Sequence, residues 1–100
     1  MYRTIIEMKE DTPQETLAEI KALCIAAHKN RAGEVKMKPI NDRTFVFEGG
    51  EEKYGCLMLA TSFLDKNELF MKKIKSWLWE DEDPEEDCDI LKAVSIPIVV

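Results

Sequence analysis

Cys24 and His28 stand four residues apart, the spacing that puts two side chains on one face of a helix. A thiol beside an imidazole is the most reactive pair in the chain on paper, able to ligate a metal or to work as a thiolate–imidazole couple. His28 is the only histidine, and Cys56 and Cys88 complete an odd set of three cysteines with no C-x-x-C spacing to nucleate a zinc site. Cys24 also falls on an apolar stripe, where a free cysteine behaves as a small hydrophobe, and a histidine in the last turn of a helix is favoured there by the helix dipole alone. The structural reading of the pair is preferred, and neither a metal nor a cofactor is expected. The chemical alternative is a pocket between sheet and helices near Cys24, His28 and Tyr54, in a small-molecule-binding domain or minor enzyme.

Other chemical motifs fail on inspection. Gly50 and Gly55 have the spacing of a phosphate loop, but Cys56-Leu57 occupies the place where Lys and Ser/Thr must follow, and Gly49-Gly50 for a turn with Gly55 for strand packing is the simpler account. Asp81-Glu82-Asp83-Pro84-Glu85 carries acids at alternate positions without the glycine that a calcium loop requires. No serine nucleophile motif is present. Enzymatic activity is not expected, because reactive groups in active sites sit in identifiable constellations.

Charge supplies the one anomaly. Residues 1–50 carry eight basic and eight acidic side chains, whereas residues 51–100 carry six and twelve. Eight of those twelve acids, Glu80, Asp81, Glu82, Asp83, Glu85, Glu86, Asp87 and Asp89, occupy one stretch of ten. The net charge of −6 is thus a nearly neutral domain plus one acidic segment. Fully extended, that segment would space its carboxylates about 4 Å apart, near the roughly 3.4 Å phosphate spacing of one DNA strand, and so could compete for a basic groove. The scattered Lys and Arg residues disfavour direct nucleic-acid binding. Trp79, at about 100° per helical residue, falls opposite the apolar stripe of a helix containing Phe70, where it would be an exposed anchor beside the acids.

The elements that must position these residues follow from periodicity. Residues 2–9 read as a strand, and Thr12-Pro13-Gln14-Glu15 as a capped helix start, with Leu17, Ile20, Cys24 and Ala27 at helical spacing over residues 13–31. Residues 34–40 and 43–48 form a hairpin with Pro39 on an edge strand. The apolar run in residues 53–63 predicts a central strand. Asp65 and Glu68 open a second helix carrying Phe70, Ile74, Trp77 and Leu78, placing the acids at its unfavourable C-terminal end, and residues 90–100 read as a last strand. The expected fold class is α+β, a single-layer, mainly antiparallel sheet with two helices on one face, in the order β-α-β-β-β-α-β, ferredoxin-like with an inserted strand.

One hundred residues make a single domain, residues 1–100, with 45% apolar and 34% charged side chains. No apolar run reaches the roughly 18 residues of a membrane span, charges at Arg3 and Glu7 disfavour a secretory leader, and unpaired cysteines suit a cytoplasmic setting. The expected function is a small non-enzymatic interaction protein, an adaptor or inhibitor. It would present Trp79 and the acids at Glu80, Asp81, Glu82, Asp83, Glu85, Glu86, Asp87 and Asp89 to a basic surface of a partner protein, one that handles nucleic acid being a plausible class. Homo-oligomerisation through the last strand or the Pro39 edge is a third reading; Ile98-Val99-Val100 has the form of a ligand for carboxylate capture, with burial in the last strand preferred.

Overall fold

The computed structural model describes residues 1–94. Its first strand, β1 (Tyr2–Met8), buries Thr4, Ile6 and Met8 and turns Arg3, Ile5 and Glu7 to the other side, the alternation of a sheet covered on one face. Helix α1 (Gln14–Ala27) follows, burying Leu17, Ile20, Cys24 and Ala27 at helical spacing. A small hairpin pairs β2 (Lys29–Asn30) with β3 (Gly33–Glu34), and a larger one pairs β4 (Met37–Asn41) with β5 (Thr44–Gly49). Helices α2 (Tyr54–Leu64) and α3 (Glu68–Lys73) lead to strand β6 (Ile74–Glu80). The two-residue strand β7 (Cys88–Asp89) and helix α4 (Ile90–Val94) close the described chain.

The main sheet runs β4-β5-β1-β6-β7 in space, antiparallel throughout. Its inner face carries Ile6, Phe45, Phe47, Trp77 and Trp79, which form one core with Leu17 and Ile20 of α1, Leu57 and Leu64 of α2, Phe70 of α3 and Ile90 of α4. The α+β class with helices over an antiparallel sheet is therefore the observed one. None of the helices among the described residues is long and apolar enough to cross a membrane.

Several local expectations are corrected. The segment 53–63 is not a strand: it is mainly α2, whose buried Cys56, Leu57, Ala60 and Leu64 recur at helical spacing while Tyr54 and Phe63 remain exposed. An apolar run can be apolar all round without being buried all round. The expected second helix stops at Lys73, and its cap is Asn67, whose side chain accepts from the Phe70 amide at 3.0 Å, rather than Asp65. Ile74–Glu80 is extended because it completes β1, with Trp77 opposite Ile6 and Trp79 opposite Thr4. Helix α1 ends at Ala27, and Thr12 does not cap it: Pro13 occupies the cap position and the buried Thr12 hydroxyl has no hydrogen-bond partner among the described residues. Gly33, the first residue of β3, takes a positive φ of 135° just after the Arg31-Ala32 turn of the β2–β3 hairpin. The last strand begins instead as α4, and the remainder of that expectation, residues 95–100, lies outside the described residues. The central strand expected at residues 53–63 is thus absent from the main sheet, while β4 does lie at its edge, with a register shift between Pro39 and Asn41.

Candidate functional site

The acidic stretch follows a strand, so the conflict with a helix dipole does not arise. It is also folded rather than extended, and its aspartates and glutamates divide the work. Asp83 accepts the Glu85 amide at 3.1 Å and caps a 3-10 turn at Pro84–Glu86; Asp81 accepts the Asp83 amide at 3.1 Å. Asp87 accepts the Asp81 amide at 2.6 Å, and Asp89 accepts the Lys92 amide at 3.0 Å at the start of α4. A short aspartate reaches nearby backbone and substitutes for a turn bond, so these four carboxylates build the loop.

The glutamates point elsewhere. Glu80 accepts from Arg3 at 2.8 Å, and Arg3 also donates to Glu48 at 2.9 Å, a row of charge across the outer face of the sheet. Hydrogen bonding to both carboxylates raises the Arg3 pKa further. Glu82 meets the Met1 ammonium at 3.1 Å. Among the described residues the Glu85 and Glu86 carboxylates have no ion-pair or hydrogen-bond partner, so the charge that the loop offers outward is concentrated there.

Trp79 is not the exposed anchor that helical phasing suggested. It is 6% exposed, on the inner face of β6, and its indole N–H donates to Asp81 at 2.9 Å. That bond is the first cause of a lowered Asp81 pKa. The Trp79 ring stacks against Tyr2 at 5.7 Å and meets Tyr54 edge-on at 6.0 Å, while Tyr2 and Tyr54 approach to 4.9 Å. Beside these rings lies a cleft of about 220 Å³ lined by Tyr54, Met58, Trp79, Cys88 and Ile90, with Asp81 and Glu86 also on its wall. Burial and the neighbouring Asp89, Asp87 and Asp81 raise the Cys88 pKa, which keeps the thiol protonated and a poor nucleophile. Tyr2 and Met58 were not singled out in the sequence, because their proximity to Trp79 exists only once Ile74–Glu80 is a strand beside β1.

The other candidate residues are not gathered into one pocket. Cys24 is fully buried, and burial pushes its thiol up to about 12. His28 is 1% exposed and burial pushes its pKa down to about 4, so the ring is neutral at pH 7. Its Nδ1 lies 2.9 Å from the Cys24 carbonyl, which only accepts; the proton therefore sits on Nδ1, and the buried Nε2 has no partner among the described residues. The ring stacks flat on Phe47 at 3.5 Å between centroids, and the Cys56 thiol donates to the His28 carbonyl at 3.3 Å. Tyr54 belongs instead to the Trp79 cluster. Among the described residues no three His, Cys, Asp or Glu side chains come together in a way that would hold a metal ion. Comparison of the chain with family models, with curated proteins and with solved structures finds no match.

Proposed function

We propose that this chain is a small non-enzymatic interaction protein, an adaptor or inhibitor, that offers a pre-shaped acidic loop to a basic surface on a partner protein. The observation that carries the reading is the pair of unpartnered carboxylates, Glu85 and Glu86, held on a capped turn beside the Tyr54–Trp79 cleft. A loop whose aspartates already fix its backbone loses little entropy on docking, which favours affinity. At about 220 Å³ the cleft is smaller than the roughly 300–1,000 Å³ of small-molecule sites, a size that suits one inserted side chain. A Lys or Arg from the partner would find carboxylates at the rim and aromatic faces within. Proteins that handle nucleic acid carry such basic surfaces and are the favoured partner class. Free thiols, two of them buried, suit a reducing, cytoplasmic setting.

The test is a tagged capture from lysate of the source cells at low and high salt, with wild type beside a Glu82→Gln/Glu85→Gln/Glu86→Gln variant. These three carboxylates accept no backbone amide within the loop, so the variant keeps the loop fold while losing the outward charge. A partner held by wild type at low salt and lost both at high salt and from the variant is the expected outcome. A partner indifferent to the substitutions overturns the reading.

A further inference from the structure

On the side of α2 away from the acidic loop the surface has the opposite character. Tyr54, Met58 and Thr61 of α2 border the acidic cleft, whereas Leu59 and Phe63 face a second groove, of about 500 Å³, that they share with Ala26 and Ala27 of α1 and with Lys29, Asn30 and Arg31 of the β2–β3 hairpin. Phe63, on the floor of this groove, is 52% exposed, a large ring for α2 to leave uncovered.

The rim of this groove is cationic and held in place. Asn30 donates to the Ala27 carbonyl at the end of α1 and to the Cys56 carbonyl of α2, each at 3.1 Å, and its own side-chain oxygen accepts the Ala32 amide at 2.9 Å. The hairpin is thereby pinned across both helices, with Arg31 and Ala32 as its two-residue loop. Lys29 faces Glu34 at 3.7 Å, while the Arg31 guanidinium has no ion-pair partner among the described residues. Lys66 adds a further cation on the other side of Phe63, in an adjoining depression.

We infer that this groove is a second docking site, for a partner segment that carries acidic and apolar side chains together, such as an amphipathic helix with carboxylates along one flank. The apolar floor of Ala26, Ala27, Leu59 and Phe63 takes the segment's apolar face, and Arg31, which has no ion-pair partner among the described residues, takes its carboxylates. This is the helix-in-groove mode, with charge at the rim setting orientation. The inference is independent of the acidic-loop reading, since it calls for a ligand of opposite charge on the opposite flank of α2.

The test is an amide chemical-shift titration of the full chain with a synthetic peptide bearing Leu on one helical face and Glu on the other, beside a counterpart with Lys in place of Glu. The Glu peptide should shift the amides of Ala26, Arg31, Leu59 and Phe63, and the Lys peptide should not. Arg31→Glu and Phe63→Ala, both at exposed positions, should each weaken binding about tenfold. The Glu82→Gln/Glu85→Gln/Glu86→Gln variant should bind the Glu peptide as wild type does, which separates this site from the acidic loop. Equal response to both peptides, shifts confined elsewhere, or groove shifts that grow with protein concentration alone, the mark of a second copy in the groove, would each overturn the inference.

Discussion

Two clusters in this molecule combine an aromatic ring with titratable groups, and they have opposite fates. In the first, His28 stacks on Phe47, the Cys24 and Cys56 thiols are likewise sealed from water, and burial drives His28 and Cys24 to their neutral forms. Around Trp79, the ring is equally buried but its indole N–H reaches an ionised aspartate at the surface, and charge is kept in water. Residue type alone would rank the first cluster as the reactive one. Exposure reverses the order, because a group that cannot reach a ligand or hold its charge has no chemistry to offer.

The largest expected effect probes the sealed cluster. Phe47→Ala removes a fully buried ring and the surface on which His28 stacks, and should cost about 3–5 kcal/mol in denaturant unfolding. A cost near that of a surface substitution would mean that the cluster is not the core. The next effect is a pH dependence. The folded pKa of His28 lies below its unfolded value, so the unfolded state binds the proton more readily. Stability is therefore intact above about pH 6.5 and lost as pH falls toward about 4, by up to about 3 kcal/mol. Urea midpoints from pH 7 to pH 4 should show this decline in wild type and a shallower one in His28→Leu; a His28 ring that titrates near 6.5 by NMR would break the contrast.

Asn30→Ala removes the donor shared by the Ala27 and Cys56 carbonyls and the acceptor of the Ala32 amide, and should cost about 1–3 kcal/mol. The smallest effect belongs to the outward acids: Glu85→Gln with Glu86→Gln should change stability by no more than about 0.5 kcal/mol while altering the salt dependence of association. Should those substitutions unfold the loop, the separation between aspartates that build and glutamates that present would collapse.

Legibility in the sequence tracked how far each decision depended on distant partners. Strand β1, the body of α1 and the β4–β5 hairpin were readable, because their periodicity and turn residues are local. The segment Ile74–Glu80 was not. Phe70, Ile74, Trp77 and Leu78 fit a helical stripe by coincidence, and what makes the segment extended is the open edge of β1, more than sixty residues earlier. In Tyr54–Leu64 a usable signal existed, since Cys56, Leu57, Ala60 and Leu64 keep helical spacing, but uniform apolarity masked it. Of the candidate site, the acidic residues were visible in composition, whereas the split between Asp and Glu roles required the turn, and the Asn30 hairpin had been absorbed into an overlong helix.

The central place of β1 has a kinetic consequence. Ile6 pairs with Phe45 on one side and Trp77 on the other, so β1 waits for two partners that both lie far downstream in the chain. Until Glu80 has been made, the nascent chain carries a β-prone segment with at least one bare edge, in need of a partner it has not yet produced. Closing such distant pairs is the slow step in sheet formation, which makes the time to complete β1 the interval in which this small protein is most open to pairing with the wrong strand.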